Sequence, residues 1–119
     1  MAAKRFTDLR VWQAAHQLVL EIYGITPRLP KEERYDLASQ MRRAAVSIPA
    51  HVAEGFARWT PRDRARFYEI SRSSAEELRY YLILCRDLGF LKPDPGLDDR
   101  LDSVCKMLYR LREVVLTET

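Results

Sequence analysis

Several things this sequence has little of narrow what it can be. Cysteine occurs twice and glycine four times in 119 residues. Two cysteines cannot staple a disulfide scaffold or form the paired Cys-x-x-Cys units of a structural zinc site. The few glycines leave no glycine-rich loop to cradle phosphates. Histidine also occurs only twice, as His16 and His51, with no Glu-x-x-His or His-Glu-x-x-His spacing. The di-iron bundle and zinc-protease patterns are therefore missing. No run approaches the roughly 18 apolar residues of a membrane-spanning helix. The opening stretch meets charge too early to make a signal-peptide core, so a cytoplasmic location is expected. No nucleophile stands beside an obvious base. A non-enzyme is expected, with no catalytic residue, no metal and no cofactor.

What is present is apolar and charged in helical order. Hydrophobic residues make up 47% and charged residues 31%. A chain of this length suits one domain, residues 1–119, and can bury roughly two-thirds of its unfolded surface without staples. Cys85 and Cys105 both fall on apolar stripes and are expected as buried thiols, a disulfide between neighbouring helices being the alternative.

The apolar period predicts four helices. The first covers Asp8–Thr26 with Thr7 as N-cap, and its stripe is Trp12, Ala15, Val19, Ile22 and Tyr23. The second covers Lys31–Arg58, with Glu32 and Glu33 in a first turn that favours negative charge. Its stripe, Leu37, Met41, Ala44, Ala45, Ile48, Val52 and Phe56, keeps phase across Pro49, which predicts one helix kinked there rather than two. Proline removes the bond back to Ala45, at a cost of about 3 kcal/mol, and Ser47 is a candidate to satisfy the freed carbonyl. The third helix opens on Thr60, Pro61 and Asp63, which are cap, first position and first turn, and runs to Leu88. Its stripe is Phe67, Ile70, Ser71, Ser74, Leu78, Tyr81, Leu82, Cys85 and Leu88; the serines leave room for a close neighbour. After Gly89 and two prolines, a fourth helix covers Leu97–Thr117. Short connections make these an all-α, up-down-up-down four-helix bundle.

Charge is unevenly placed. Between Gln40 and Arg72 seven basic residues face three acidic ones, while Asp87 to Ser103 holds five acids and two bases. Arginine outnumbers lysine sixteen to four, and arginine suits phosphate recognition. Arg42, Arg58, Arg62 and Arg66 are the candidate nucleic-acid contacts, with Trp59 and Tyr68 near enough to stack on bases. Arginine at a helix start opposes the dipole, so local stability does not account for the cluster.

A second constellation lies on the second helix. Gln40, Arg43, Ser47, His51, Glu54 and Arg58 fall within about an 80° arc at 100° per residue. Such a stripe can pair with Ser74 and Glu77 of the third helix or form a subunit contact. Arg43 with Glu54 or Glu77 is the expected ion pair within it.

Three stretches resemble a known family, the 23S rRNA intervening-sequence proteins. They are "FTDLRVWQAA" (Phe6 to Ala15), "LASQMRRAAVSIPAHVAEGFAR" (Leu37 to Arg58) and "FYEISRSSAEEL" (Phe67 to Leu78). Two positions depart from the family's usual pattern: His51 stands for asparagine and Ser73 for glycine. The resemblance implies a bundle protomer that assembles as a ring-shaped homopentamer. It also implies a distant relation to the accessory variability determinant of diversity-generating retroelements, a basic pentamer that binds nucleic acid and a reverse transcriptase. The expected partners are thus further copies of the chain and RNA or DNA. A protein partner, for which this chain would act as adaptor, is the alternative.

Overall fold

The computed structural model describes residues 3–118, and its regular elements are all helical. Helix α1 is Arg10–Ile25, α2 is Leu37–Phe56, α3 is Pro61–Asp87 and α4 is Pro95–Leu116. Neighbours around the bundle are α1–α2, α2–α3, α3–α4 and α4–α1. Among the described residues the diagonal pairs do not approach. The body measures 48 × 25 × 19 Å, its length matching the roughly 40 Å of a 27-residue helix such as α3. No helix is long and apolar enough to cross a membrane.

Helix boundaries follow the local chemistry, and several differ from expectation. Thr7 does not cap α1. The chain enters through a 3-10 turn, Phe6–Asp8, in which the Asp8 carboxylate accepts from the amides of Lys4 and Arg5 at 3.2 and 3.1 Å. Leu9 then leads into the helix in extended conformation. Helix α2 begins at Leu37 rather than Lys31. The stretch Lys31 to Asp36 has no apolar face to bury, so it forms a 3-10 turn at Lys31–Glu33 and leaves the helical path at Asp36 (φ −122°, ψ −97°). Glu32 and Glu33 therefore lie outside α2.

The other boundaries are set by caps. Thr60 Oγ1 accepts from the Asp63 amide at 3.1 Å, with Pro61 in the first helical position. Asp94 does the same for α4, accepting from Leu97 N at 3.1 Å, so α4 starts at Pro95, two residues before the first stripe residue. Helix α3 ends at Gly89 (φ +80°), where Phe90 N donates to Cys85 O at 2.8 Å and Gly89 N to Arg86 O at 3.0 Å. These are the two bonds of a Schellman stop, which requires a left-handed residue.

The core draws on all four helices: Val11, Ala15, Leu18 and Ile22 from α1, and the predicted α2 stripe except the half-buried Phe56. Leu78, Leu82 and Cys85 come from α3, and Leu97, Leu101, Val104, Leu108 and Val115 from α4. Tyr23, Ile70 and Leu88, expected inside, are exposed. Helix α2 passes unbroken through the buried Pro49. The Ser47 hydroxyl does not turn back to the Ala45 carbonyl; its partners are Ser74 and His51.

Small residues let α2 and α3 come close. The buried Ser71 donates to the Ile48 carbonyl at 2.7 Å. A Cβ on Gly55 would lie 2.7 Å from Tyr68 Cε1 and 3.0 Å from Phe67 Cβ.

Cys85 and Cys105 are free thiols. The Cys85 Sγ–H, fully buried, donates to Met41 Sδ at 3.5 Å. Burial pushes both thiols above their ordinary range, with carboxylates (Glu33 for Cys85, Glu76 for Cys105) adding to it. A low thiolate fraction makes a thiol slow to alkylate. Iodoacetamide at neutral pH is therefore expected to modify Cys105 slowly and Cys85 only after unfolding, measured by intact mass. The folded chain also keeps these protons to higher pH than the unfolded chain, so stability falls as pH rises past about 8.5.

Candidate nucleic-acid interface

The arginines divide by face. Every ion pair among the described residues uses an arginine of α3 or α4. Arg79 donates to Asp102 at 2.6 Å and also reaches Glu76. Burial works against its charge, but hydrogen bonds to Glu76 and Asp102 outweigh that and raise its pKa. Arg86 donates through Nη1 to both oxygens of Asp98, at 2.9 and 3.0 Å. Arg112 binds Glu69, and Arg100 ties α4 to Glu21 of α1. Much of the acidic run before and within α4 is thus spent inside the protomer.

No arginine of α2 or of its flanking loops forms an ion pair among the described residues. Arg58 lies over the Phe67 ring at 4.4 Å and Arg66 over the same ring at 5.4 Å. Arg62, between them in sequence, is exposed and forms no ion pair among the described residues. Beside them Trp59 is 94% exposed, the most exposed large hydrophobic residue described. Tyr68, the other candidate base stacker, is only 2% exposed and packs in the core, so it cannot stack on a base. The turn carrying Trp59 is held by Arg64, which the sequence pattern did not single out. Its Nε donates to Arg58 O at 2.9 Å, its Nη2 to Trp59 O at 3.4 Å, and its Nη1 pairs with Glu118 at 3.5 Å.

Arg42 does not join this cluster. It sits 16 residues up α2 from Arg58, about 24 Å along the axis. Its Nε donates to the buried Thr26 Oγ1 at 2.8 Å and its guanidinium lies 4.6 Å from the Tyr23 ring centre. It pins the end of α1 to α2.

The polar stripe of α2 splits into three parts. Gln40 donates to Asp36 at 2.9 Å and accepts from Tyr81 Oη at 2.9 Å, while Glu77 is a second acceptor for that phenol at 3.3 Å. Burial, reinforced by Glu77, raises the Tyr81 pKa. Ser47, His51 and Ser74 form a chain whose protons can be placed. His51 Nδ1 lies 2.8 Å from the Ser47 carbonyl, which can only accept, so Nδ1 carries the hydrogen. Ser47 Oγ then donates to Ser74 Oγ at 2.8 Å, and Ser74 Oγ to Ile70 O at 3.2 Å. His51 thus offers the donor that an asparagine amide also has, and keeps Nε2 free to accept. Arg43 and Glu54 form the third part. Both are exposed, and neither they nor Glu77 forms the expected ion pair, because the α2–α3 seam is filled by serine and phenol hydroxyls instead. Ser73 is exposed, so no close approach at that position calls for glycine.

The family described as "23S rRNA-intervening sequence protein" matches residues 7–110. The chain belongs to that family. The fold likeness extends to a crystal structure from Bacteroides thetaiotaomicron VPI-5482, a protein of unknown function from the S23 ribosomal protein family. That likeness has a TM-score of 0.64 and 17% identity, over 90% of this chain and 95% of the other. At that identity it bears on the bundle alone. No protein with a curated description matches the chain.

Proposed function

We propose that this chain is a non-enzymatic, oligomeric nucleic-acid-binding protein. The observation that supports this most is the division of its arginines. Arg64, Arg79, Arg86, Arg100 and Arg112 are paired with carboxylates, while Arg58, Arg62 and Arg66 form no ion pair among the described residues and lie near an exposed tryptophan. A guanidinium with no internal partner is available for a phosphate oxygen, and an exposed indole for a base. The arrangement contacts backbone and base faces without reading base edges, so the binding is sequence-tolerant. The family's printed description, which concerns a segment inserted in 23S rRNA, agrees with a nucleic-acid setting.

Self-assembly is part of the same proposal, and exposed apolar side chains support it. Leu20 is exposed on α1, and Ile70, Tyr80 and Ile83 on α3. Burial of such side chains between copies would join five +3 chains into a ring of about +15, which raises affinity for polyanions by avidity. Light scattering is expected to give about 70 kDa, five times the 14.0 kDa chain. A 14.0 kDa species at micromolar concentration would remove the ring.

The binding reading is tested by filter retention of single-stranded RNA at about 50 mM salt, where electrostatic association is strong. Retention is expected. Its absence at that salt would overturn the nucleic-acid role, and specific capture of a polymerase at high salt would favour the adaptor role in its place.

A further inference from the structure

Among the described residues the two most exposed large hydrophobic side chains are Trp59 at 94% and Tyr35 at 88%; the next, Tyr80, reaches only 57%. They flank the two ends of α2, and each stands among arginines. Burial energetics give no reason to hold an aromatic ring almost wholly in water. A ring so placed is free to stack on something else.

A groove occupies part of the surface between them. Tyr35, Arg34, Arg42, Arg43, Val46 and His51 line an open groove of about 650 Å³ along α2, and no carboxylate lines it. At its far end the His51 ring stacks on Phe67, with centroids 6.2 Å apart. Phe67 is the ring over which Arg58 and Arg66 lie. Arg43 lies on α2, and Arg58 lies just past its end at Phe56, over the Phe67 ring. The acid on this face is Glu54, exposed between His51 and Arg58.

We propose that one strand of nucleic acid lies along α2 from Tyr35 to Arg66, with a base stacked on Tyr35 at one end and on Trp59 at the other. This rests on the nucleic-acid reading above and adds its path, its strandedness and its length. Stacking on isolated rings needs unpaired bases, which selects single strands over duplex. The 20 residues of α2 span about 30 Å. At about 3.4 Å per phosphate, a stacked strand covers that span in about nine nucleotides.

The test is fluorescence anisotropy with labelled oligouridylate and oligothymidylate of about 4, 8 and 12 nucleotides. Affinity is expected to climb steeply up to about nine nucleotides and then level off. Tyr35→Ala and Arg43→Ala are each expected to weaken the 12-mer about ten-fold and to leave the 4-mer, which reaches only the Trp59 end, unchanged. Tyr35→Phe, which keeps the ring, is expected to bind as wild type, and Glu54→Gln to bind more tightly. Equal effects on both sugars mean the track reads backbone and base faces only; a preference for oligouridylate adds a 2′-hydroxyl contact to the same track. If no oligonucleotide binds wild type, the nucleic-acid reading itself fails. If the 12-mer responds to replacement of Arg58, Arg62 and Arg66 but not to Tyr35→Ala or Arg43→Ala, the track alone is overturned.

Discussion

Replacing Arg58, Arg62 and Arg66 together with alanine is expected to weaken single-stranded RNA binding about 100-fold at about 50 mM salt. Each guanidinium loses a phosphate contact worth about 1 kcal/mol after solvent screening, and about 1.4 kcal/mol is a factor of ten. Stability should hardly change. The exposed cation–π contacts of Arg58 and Arg66 with Phe67 are each worth about 0.5–1 kcal/mol. Against that, alanine is the better helix former and no longer opposes the dipole near the start of α3. The informative control is Arg79→Ala. It breaks the bridge to Asp102 and Glu76 across the α3–α4 face, so it should lower the melting temperature and leave RNA binding intact. A binding loss equal to that of the triple variant would mean that net charge, rather than placement, governs the interaction.

Two glycines are expected to respond to alanine with opposite signs. Gly55→Ala gains roughly 1 kcal/mol of helix propensity. Its new Cβ, however, would meet Tyr68 Cε1 at 2.7 Å and Phe67 Cβ at 3.0 Å. Neither neighbour can yield: Tyr68 is 2% exposed within the core, and a Cβ moves only with its backbone. Helices α2 and α3 must therefore separate, and overpacking of this kind costs about 1–3 kcal/mol. We expect a net loss of ~1 kcal/mol and a melting temperature lower by about 4 °C. Gly24→Ala, with nothing within 4 Å of the new Cβ, collects the propensity gain unopposed and should raise the melting temperature by a few degrees. Thermal unfolding followed by circular dichroism measures both. A neutral or stabilising Gly55→Ala would mean the α2–α3 approach is looser than described.

Local chemistry is what sequence reading reached well here. Thr60, Pro61 and Asp63 form a cap within four consecutive residues, and the α2 stripe crosses Pro49 in one phase because burial repeats every turn whatever the amide does. The misses depend on partners distant in sequence. Arg42 read as a free cation because Thr26 and Tyr23, its partners, come from α1. Arg43 read as the ion-pair partner of Glu54 or Glu77 because rotation alone placed it near them; the hydroxyls of Tyr81 and Ser74 take that seam instead. Arg79 and Arg86 lie beyond the basic middle, and their neutralisation shows only once Asp102 and Asp98 of α4 are folded against them. Tyr35 fell within the predicted second helix but off its apolar stripe, and in the folded chain it lies before α2, where Asp36 leaves the helical path. What separates the free arginines from the neutralised ones is thus tertiary, and only two of the four arginines picked from sequence, Arg58 and Arg66, share a ring in the folded chain.

The salt dependence of RNA binding tests the central claim most directly. The logarithm of the association constant should fall linearly with the logarithm of salt concentration, with a slope of about −0.7 for each phosphate neutralised on a single strand. The Arg58, Arg62 and Arg66 alanine variant should lose about 2 from that slope, and Arg79→Ala none. A slope that is the same in wild type and in the triple variant would contradict the assignment of phosphate binding to these three residues.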